Sequence, residues 1–310
     1  MKLYYWRSPS GNFGDDLNQW LWDDLLPGWR TWDPARTLLG VGTILNTRLL
    51  SDHEKYLVCG SGAGFGQPPT LDGGDRWKVS FVRGQKTADL LGLPKDAAIG
   101  DPATIIPHLT RFSHPSRTRG KSGTAFVPHC HSDAERIYDW ERICDGAGLS
   151  YISPRGPSHE IIKAISCCDA VMTESMHAAI IADAFRVPWK PVSLVDNFNK
   201  FKWEDWASTL DLQFEIVPLP KPAPKQGRPA KSPTPAGRAI LALRKILGTV
   251  NIEIDSIPAF DLDKTEQQLI DSIRYAARGA FYLSKESLLD RVQGQLVDAF
   301  GALRREYGGL

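Results

Sequence analysis

Short apolar segments alternate with helical segments over the first two thirds of the chain, and this alternation constrains the fold more than any other feature. KYLVCGSG (55–62) and KVSFVRG (78–84) have the length and the β-branched content of buried strands. The pattern resumes with TAFVPHC (124–130) and continues through an apolar helix and strand near residues 176–195. Such alternation is typical of a parallel sheet covered on both faces. The sequence therefore predicts the α/β class.

A polar stretch, RFSHPSRTRGKSG at residues 111–123, separates two alternating regions. A length of 310 residues also suits two domains better than one large core. We predict one Rossmann-like domain over residues 1–115 and a second over residues 120–217, facing each other across a cleft. Ligands of such sheets bind beyond the carboxyl ends of the strands. The turns after the strands are therefore where functional residues are expected.

Residues 218–238 break the pattern with seven prolines, five basic residues and no acidic residue, which predicts an extended linker. Residues 239–310 are predicted to form a helical tail, with helices near 264–278 and 284–306. The basic stretch 218–250, with its amphipathic segment AGRAILALRKILG, is a candidate contact with an anionic membrane surface. The alternative is that this helix packs on the catalytic domains or on a second subunit.

Charge and cysteine content argue against several classes of protein. The chain has 37 basic and 36 acidic side chains, a balance that disfavours a chain-wide nucleic-acid surface. Its apolar runs are shorter than the ~18–20 residues that span a bilayer. The start MKLYYWRS is too short and too polar for a signal peptide. Five cysteines without a C-x-x-C pair favour a reduced, cytoplasmic protein, with the inner membrane surface as the site of any peripheral contact.

The first candidate site is the turn GNFGDDL, residues 11–17, between the first strand and the first helix. Asn12 can hydrogen-bond a ligand or its own backbone, and Asp15 can cap the helix after the turn. One acid suffices for a cap, so Asp15 and Asp16 together leave a carboxylate available near the cleft. The alternative is a helix start with a spare acid.

Two further turns come after apolar strands. VCGSGAGFG (58–66), which includes Gly62, leaves backbone N–H groups exposed for an anion or a closely packed substrate, although a flexible loop explains it equally well. Arg83 ends the next strand, where its guanidinium fork is well placed to bind a carboxylate or a phosphate. The alternative for Arg83 is a structural salt bridge, for which Asp101 is the expected partner.

The fourth turn opens the helix in TESMHAAIIADAFRVPW, residues 173–189. Ser175 is the expected N-cap, and His177 falls in the first turn, where free N–H groups and the helix dipole form an anion site. The dipole disfavours imidazolium, so His177 should gain its proton together with a bound phosphate; a packed neutral histidine is the alternative. His129 and His131 come after another strand, but no further cluster has metal-ligand spacing. We therefore predict a substrate-facing His129, no metal, and activity that survives chelation.

Taken together, three of these stretches resemble the polysaccharide pyruvyl transferase family. They are GNFGDDL, VRGQKTADLLG with GDPA after it, and ESMHAAIIADAFRVPW, and the resemblance covers residues 3–206. The chain looks most similar to members of bacterial exopolysaccharide assembly, including the succinoglycan pyruvylation type. The resemblance implies two Rossmann-like domains facing a cleft, an arrangement like that of B-type glycosyltransferases. Many members have Arg-hydrophobic-His where this chain has Ser175-Met176-His177. The basic contact is therefore either missing here or supplied by another residue, such as Lys200 or Lys202.

The resemblance also implies a reaction. Phosphoenolpyruvate, a co-substrate rather than a cofactor, would donate pyruvate to two hydroxyls of a sugar and form a cyclic ketal. The acceptor would be a polysaccharide or a lipid-linked oligosaccharide. The expected residues are Arg83, Ser175, His177, His129 and Lys200 for the donor, Asn12 and Gly62 for the acceptor, and His177 with Asp15 or Asp16 as acid and base, which could be exchanged.

Two rival functions stay open. A glycosyltransferase that uses a nucleotide sugar would share the implied fold, but it should bind a uridine or guanosine nucleotide, which a pyruvyl transferase should not. A catalytically inert scaffold for polysaccharide assembly is the other rival. The presence of Arg83 and His177 weighs against the scaffold.

Overall fold

A computed structural model describes six stretches of the chain. They are residues 1–51, 53–112, 123–134, 138–195, 198–220 and 262–308, with side chains in the last stretch described from residue 266 onwards. The amphipathic segment AGRAILALRKILG and the predicted linker beyond residue 220 lie outside these stretches, so the predicted membrane contact stays a prediction. Residues 1–112 are called the first half of the molecule, and residues 123–220 are called the second half.

Four parallel strands form the sheet of the first half, in the order β1-β2-β3-β4. Their residues are mostly apolar, and β2 is buried along its whole length because helices cover the sheet. The strands are β1 (Lys2–Tyr4), β2 (Arg36–Leu39), β3 (Lys55–Cys59) and β4 (Trp77–Phe81). The α-helices of this half are α1 (Phe13–Asp16), α2 (Leu21–Leu25) and α3 (Gln85–Leu90), and the longest of its 3-10 helices is Pro102–His108.

Five parallel strands form the sheet of the second half, in the order β6-β5-β7-β8-β9. The chain leaves β5 for β6 on one side and then crosses to β7 on the other, so the strand order reverses between β5 and β7. The strands are β5 (Thr124–Val127), β6 (Ser150–Tyr151), β7 (Ala170–Thr173), β8 (Trp189–Ser193) and β9 (Val217–Pro218). The α-helices are α4 (Cys130–Ala134), α5 (Trp140–Ala147), α6 (Ser158–Ser166), α7 (Met176–Ala184) and α8 (Lys200–Ala207).

The predicted α/β class is confirmed by these two parallel sheets. The division into two Rossmann-like domains of the B-type glycosyltransferase kind, with the stated boundaries, stays a prediction. One hydrophobic cluster runs through both halves: it contains Leu57 of β3, Ile106 of the 3-10 helix, Val171 of β7 and Ile181 of α7. The two sheets therefore share one hydrophobic cluster.

Two helices near the C-terminus pack on these halves. The helix α9 (Leu262–Ala277) buries Leu269 and Ile273 in a cluster with α5, and α10 (Glu286–Tyr307) lies on the first half. Phe300 of α10 has its ring centroid 5.5 Å from that of Phe81. The helices predicted near 264–278 and 284–306 are thus present, and both belong to the core. Within the described stretches, no helix combines the length and the apolar character needed to cross a membrane.

The first helix, which the sequence places after the turn GNFGDDL, is interrupted. Asn12, not Asp15, caps α1, because its Oδ1 accepts a hydrogen bond from the Gly14 N–H at 3.2 Å. Asn18 Nδ2 then donates a hydrogen bond to the backbone carbonyl of Asp15 at 2.9 Å. This side-chain bond competes with the backbone bonds of a continuous helix. Asn18 also binds both backbone groups of Val41, so the break fastens this segment to the end of β2.

Candidate functional site

A cavity of about 340 Å³ lies between the two halves, where the carboxyl ends of both sheets meet. It touches the ends of β5 and β7, between which the strand order reverses, and ligands of open α/β sheets bind at such points. Its walls are Trp6, Ser8, Asn12, Asp15, Thr43, Ile44, Leu49 and Phe65 from the first half, and His129, Cys130, His131, Ser175, Met176, His177 and Lys202 from the second.

The turn GNFGDDL supplies one carboxylate to the cavity. Asp15 lines the wall, where it is 9% exposed, and its Oδ2 accepts a hydrogen bond from Asn12 Nδ2 at 2.6 Å. Asp16 points away, since it does not line the cavity and its carboxylate accepts from Gln19 Nε2 at 2.9 Å. Of the two candidate acids, the structure therefore brings only Asp15 to the site.

His177 is the second residue of α7 and is held against this turn. A Cβ atom placed on Gly14 would lie 1.9 Å from Nδ1 of His177, so the absence of a side chain at Gly14 is what admits the imidazole. The side chain of His177 is 8% exposed, and its buried Nε2 has no hydrogen-bond partner among the described residues. Buried polar atoms without partners are rare and call for an explanation, of which a ligand is one.

Lys202 is the cation of the cavity wall. It lies in the first turn of α8, and no hydrogen bond or ion pair involves its Nζ within the described stretches. The centroid of the Phe65 ring lies 6.0 Å from Nζ. Lys200, the predicted donor ligand, lies outside the cavity and pairs with Glu204 at 2.9 Å. The structure thus favours the second of the two lysines considered from the sequence.

Ser175 and His129 complete the wall on the second half. Ser175 is at the N-cap position of α7, as predicted, but its side chain makes no capping bond. Ser175 borders the cavity at the start of α7, where the first-turn N–H groups lack partners within the helix. His129 also lines the cavity, and its backbone N–H donates to the buried carboxylate of Glu174 at 3.1 Å. The rings of His129 and His131 are 4.9 Å apart, and no group of three metal-ligating side chains occurs among the residues described.

Burial shifts the ionisation of the cavity groups. It raises the pKa of Asp15 to about 7, although Lys202 and the Asn12 hydrogen bond act in the opposite direction. Burial, with Lys202 and Arg83, lowers the pKa of His177 to about 3. Burial and the charge of Arg83 lower the pKa of Lys202 to about 8, against the attraction of Asp15. Near neutral pH the cavity thus holds a neutral imidazole, a carboxyl group near its midpoint and a mostly charged ammonium.

Arg83 does not line the cavity. Its side chain is completely buried, and Nε forms an ion pair with Asp205 of α8 at 2.9 Å. The guanidinium also donates to Thr43 Oγ1 at 2.8 Å, and Thr43 is a cavity residue. The salt-bridge alternative considered from the sequence is the one observed, with Asp205 rather than Asp101 as the partner. Asp101 instead caps the 3-10 helix through the Ala103 N–H at 2.9 Å.

The glycine-rich loop after β3 packs on neighbouring side chains. A Cβ on Gly62 would lie 2.2 Å from Cζ of Arg83, and one on Gly64 would lie 2.9 Å from the Phe201 ring. Gly62 is buried and does not line the cavity, so its predicted acceptor contact has no support in this arrangement. Close packing of the loop, rather than flexibility or a phosphate cradle, accounts for these glycines.

Three residues at the site were not identified from the sequence. Thr43 and Cys130 line the cavity but have no motif of their own, and burial raises the pKa of the Cys130 thiol to about 11. Glu174 was not singled out either, yet it is 2% exposed and also accepts a hydrogen bond from the Leu194 N–H at 2.8 Å. The sequence could have indicated Glu174 through its position directly after β7, since ligand sites of such sheets lie at the carboxyl ends of the strands.

Comparison with known proteins places the chain in a family. The profile of the polysaccharide pyruvyl transferase family matches residues 75–194. The chain is 46% identical, over 220 residues, to the succinoglycan biosynthesis protein ExoV of Rhizobium meliloti (strain 1021); the match covers 71% of this chain and 68% of the relative. No solved structure matches the chain. At this identity and coverage, the resemblance seen in the sequence is confirmed, and the chain belongs to the polysaccharide pyruvyl transferases, a family of transferase enzymes.

Proposed function

We propose that the protein transfers pyruvate from phosphoenolpyruvate to two hydroxyls of one sugar in an exopolysaccharide precursor, forming a cyclic ketal. The observation that carries this proposal is His177, which lines the same cavity as Lys202 and whose buried Nε2 has no hydrogen-bond partner among the described residues. The name of the relative, a succinoglycan biosynthesis protein, supports an exopolysaccharide acceptor.

The donor is a small molecule with a phosphate and a carboxylate. Lys202, the first turn of α7 and the Ser175 hydroxyl form a cationic, donor-rich floor that suits the phosphate. An anion there would stabilise a proton on His177 and raise its pKa from the low value that burial imposes. His177 would thus gain its proton together with the donor.

The volume of the cavity favours this donor over a nucleotide sugar. At about 340 Å³ it lies at the lower end of the ~300–1,000 Å³ range of ligand pockets. A three-carbon phosphate and part of one sugar ring fit that space better than a nucleoside diphosphate with its own sugar. The glycosyltransferase alternative therefore has less support from the structure.

Asp15 and His177 are the proposed acid–base pair. Asp15 would protonate the methylene carbon of phosphoenolpyruvate, because its raised pKa keeps a proton available near neutrality. The cation at the central carbon is attacked by the first sugar hydroxyl, which returns a proton to the Asp15 carboxylate. Protonated His177 then assists departure of the phosphate by cleavage of the C–O bond. The second hydroxyl attacks the new cation and returns its proton to His177, so both groups are regenerated.

Isotope transfer tests the proposal. Full-length protein is given carbon-labelled phosphoenolpyruvate and depyruvylated succinoglycan oligosaccharides, with UDP-glucose in a parallel reaction. We expect labelled, acid-labile pyruvate on the oligosaccharide, one phosphate released per pyruvate, and no sugar transfer. In His177→Gln we expect loss of transfer with a melting temperature near that of the wild type. If His177 is only a packing residue, the variant should instead have a lower melting temperature and retain transfer in its folded fraction. Consumption of UDP-glucose instead of phosphoenolpyruvate would establish the glycosyltransferase alternative.

A further inference from the structure

Exposed aromatic side chains are concentrated at the cavity. Among the residues described, three aromatic side chains are strongly exposed: Trp6 at 48%, Phe65 at 49% and Tyr275 at 79%. Trp6 and Phe65 both line the cavity, although they come from different strand ends, after β1 and after β3. Large aromatic rings exposed beside a concave site are costly to hydrate, which indicates a surface that a ligand covers.

We propose that Trp6 and Phe65 form an aromatic rim on which a pyranose ring of the acceptor rests. This proposal rests on the proposed function and adds the acceptor subsite, for which the sequence analysis named Asn12 and Gly62. It replaces Gly62, which lies beneath Arg83, and it places the acceptor on the first-half side of the cavity.

The chemistry of the wall divides the cavity between its two substrates. The charged and N–H-rich groups, Lys202 and the start of α7, belong to the second half and suit the anionic donor. The first half contributes Trp6 and Phe65 with the polar groups of Asn12 and Asp15 between the strand ends. A sugar presents apolar C–H faces and polar hydroxyl edges, so an aromatic face beside an amide and a carboxyl matches both.

Phe65 also connects the two parts of the cavity. Its ring centroid lies 6.0 Å from Nζ of Lys202, at the outer limit of a cation–π contact. A sugar seated on Phe65 is thereby held next to the ammonium that would bind the donor. This proximity is what transfer requires, because a hydroxyl must reach the central carbon of the donor.

Substitutions in the rim test the proposal, because they should weaken binding of the acceptor without weakening binding of the donor. In Trp6→Ala and Phe65→Leu we expect the KM for depyruvylated succinoglycan oligosaccharide to rise about 10–100-fold, from the burial of one aromatic side chain. The KM for phosphoenolpyruvate should stay within about twofold, and Trp6→Phe should recover most of the acceptor affinity. The matched control is Tyr275→Ala, which removes an exposed aromatic ring that is not part of the cavity lining.

The outcomes separate this proposal from the proposed function. If the wild type fails to use phosphoenolpyruvate, the function proposal fails, and saturation-transfer NMR of the same oligosaccharide with wild type and Trp6→Ala still tests the rim. An acceptor KM that is unchanged in both rim variants, or an NMR signal that is unchanged in Trp6→Ala, would overturn the rim. A change in sedimentation without a change in acceptor binding would overturn it too, and would assign the aromatic rings to contact between copies of the chain.

Discussion

His177 and Gly14 show how two distant motifs act as one site. The imidazole occupies the space that a side chain at Gly14 would fill, and Nε2 is left without a partner among the described residues. A packed structural histidine would have both ring nitrogens satisfied, because a buried unpaired polar atom costs ~1–3 kcal/mol. The absence of a side chain at Gly14 of GNFGDDL therefore makes room for the histidine of ESMHAAI.

We expect Gly14→Ala to damage the site through His177. The new methyl group would overlap Nδ1, at 1.9 Å, and the ring would have to leave its position. Overpacking of this kind costs ~1–3 kcal/mol, so the melting temperature should fall and pyruvyl transfer should be lost. Gly73→Ala is the control, since a Cβ atom there meets nothing within 4 Å. Full activity in Gly14→Ala would show that the position of His177 is unimportant.

Asp15→Asn should raise stability while it abolishes transfer. The folded-state pKa of Asp15 is raised to about 7, so the folded protein holds this proton more tightly than the unfolded chain. The wild type therefore carries no penalty below the ordinary pKa of 3.8 and loses stability as the pH rises towards and through about 7. At pH 8 the variant should be more stable by on the order of 2–4 kcal/mol, and at pH 4 by much less.

Urea unfolding of wild type and Asp15→Asn at pH 4, 6 and 8 measures this difference. Asp16→Asn serves as the control for transfer, because Asp16 does not line the cavity and that variant should keep its activity. A stability difference that is the same at all three pH values would refute the raised pKa of Asp15.

At the residue scale, the sequence located the site better than it assigned the roles. Five of the predicted residues line the cavity: Asn12, Asp15, Ser175, His129 and His177. They could be predicted because each comes after a strand that its apolar pattern identified. The sequence alone could not show which of two nearby residues faces the cavity, Asp15 or Asp16, and Lys200 or Lys202. Whether an acid or a lysine in the first turn of a helix faces inward depends on the rotation of that helix, and the packing around it sets the rotation.

At the scale of elements, the ion pair of Arg83 and Asp205 joins the end of β4 to α8. Asp205 also accepts hydrogen bonds from the N–H and the hydroxyl of Thr87, each at 2.7 Å, so its carboxylate lies at the start of α3. Both partners are completely buried. The pair therefore links the two halves and places Lys202, one turn earlier on α8, in the cavity wall.

We expect Arg83→Met to destabilise the protein by ~3–5 kcal/mol, because it leaves the Asp205 carboxylate buried and unpaired. Arg83→Met combined with Asp205→Asn should recover much of this loss, since the neutral amide can still accept from Thr87. The control is Lys200→Met, which breaks an exposed pair on the same helix and should cost at most ~1 kcal/mol. The midpoints of urea unfolding of these variants and the wild type measure the differences. A stable Arg83→Met variant that has lost affinity for the donor would instead favour a role of Arg83 as a direct ligand of the donor.

The elements themselves were largely predictable. The strands β3, β4, β5 and β8 and the helices α7, α9 and α10 lie where the apolar patterns indicated, with ends shifted by a few residues. The interrupted helix near residue 20 was not predictable, because the Asn18 side chain breaks it through bonds to Val41, a contact that exists only in the folded protein.

At the scale of the whole molecule, α10 returns to the first half and fills its core. Phe300, which is 2% exposed, contacts the rings of Trp22 and Phe81, and Tyr307 stacks on Trp32 at 5.4 Å. A helical tail was predicted, but its apolar stripe alone could not identify the surface that covers it. The described part of the tail is thus a structural component of the enzyme.

Phe300→Ala should cost ~3–5 kcal/mol of unfolding free energy, because it empties the contact between α10 and the first sheet. Val297→Ala on the same helix is the control; its side chain is 49% exposed, and we expect a change within ~0.5 kcal/mol. Differential scanning fluorimetry with a subsequent urea titration measures both. Equal stability of the two variants would show that α10 is dispensable for the fold.

The return of α10 also sets an order for biosynthesis. The aromatic rings of Trp22 and Phe81 leave the ribosome early, whereas their partner Phe300 belongs to a helix that begins at Glu286. At ~5–20 residues per second, the surface under α10 stays open for ~10–40 s of translation. The nascent first half therefore presents an uncovered aromatic patch during that interval, and the yield of active enzyme in a cell should depend on chaperones that bind such patches.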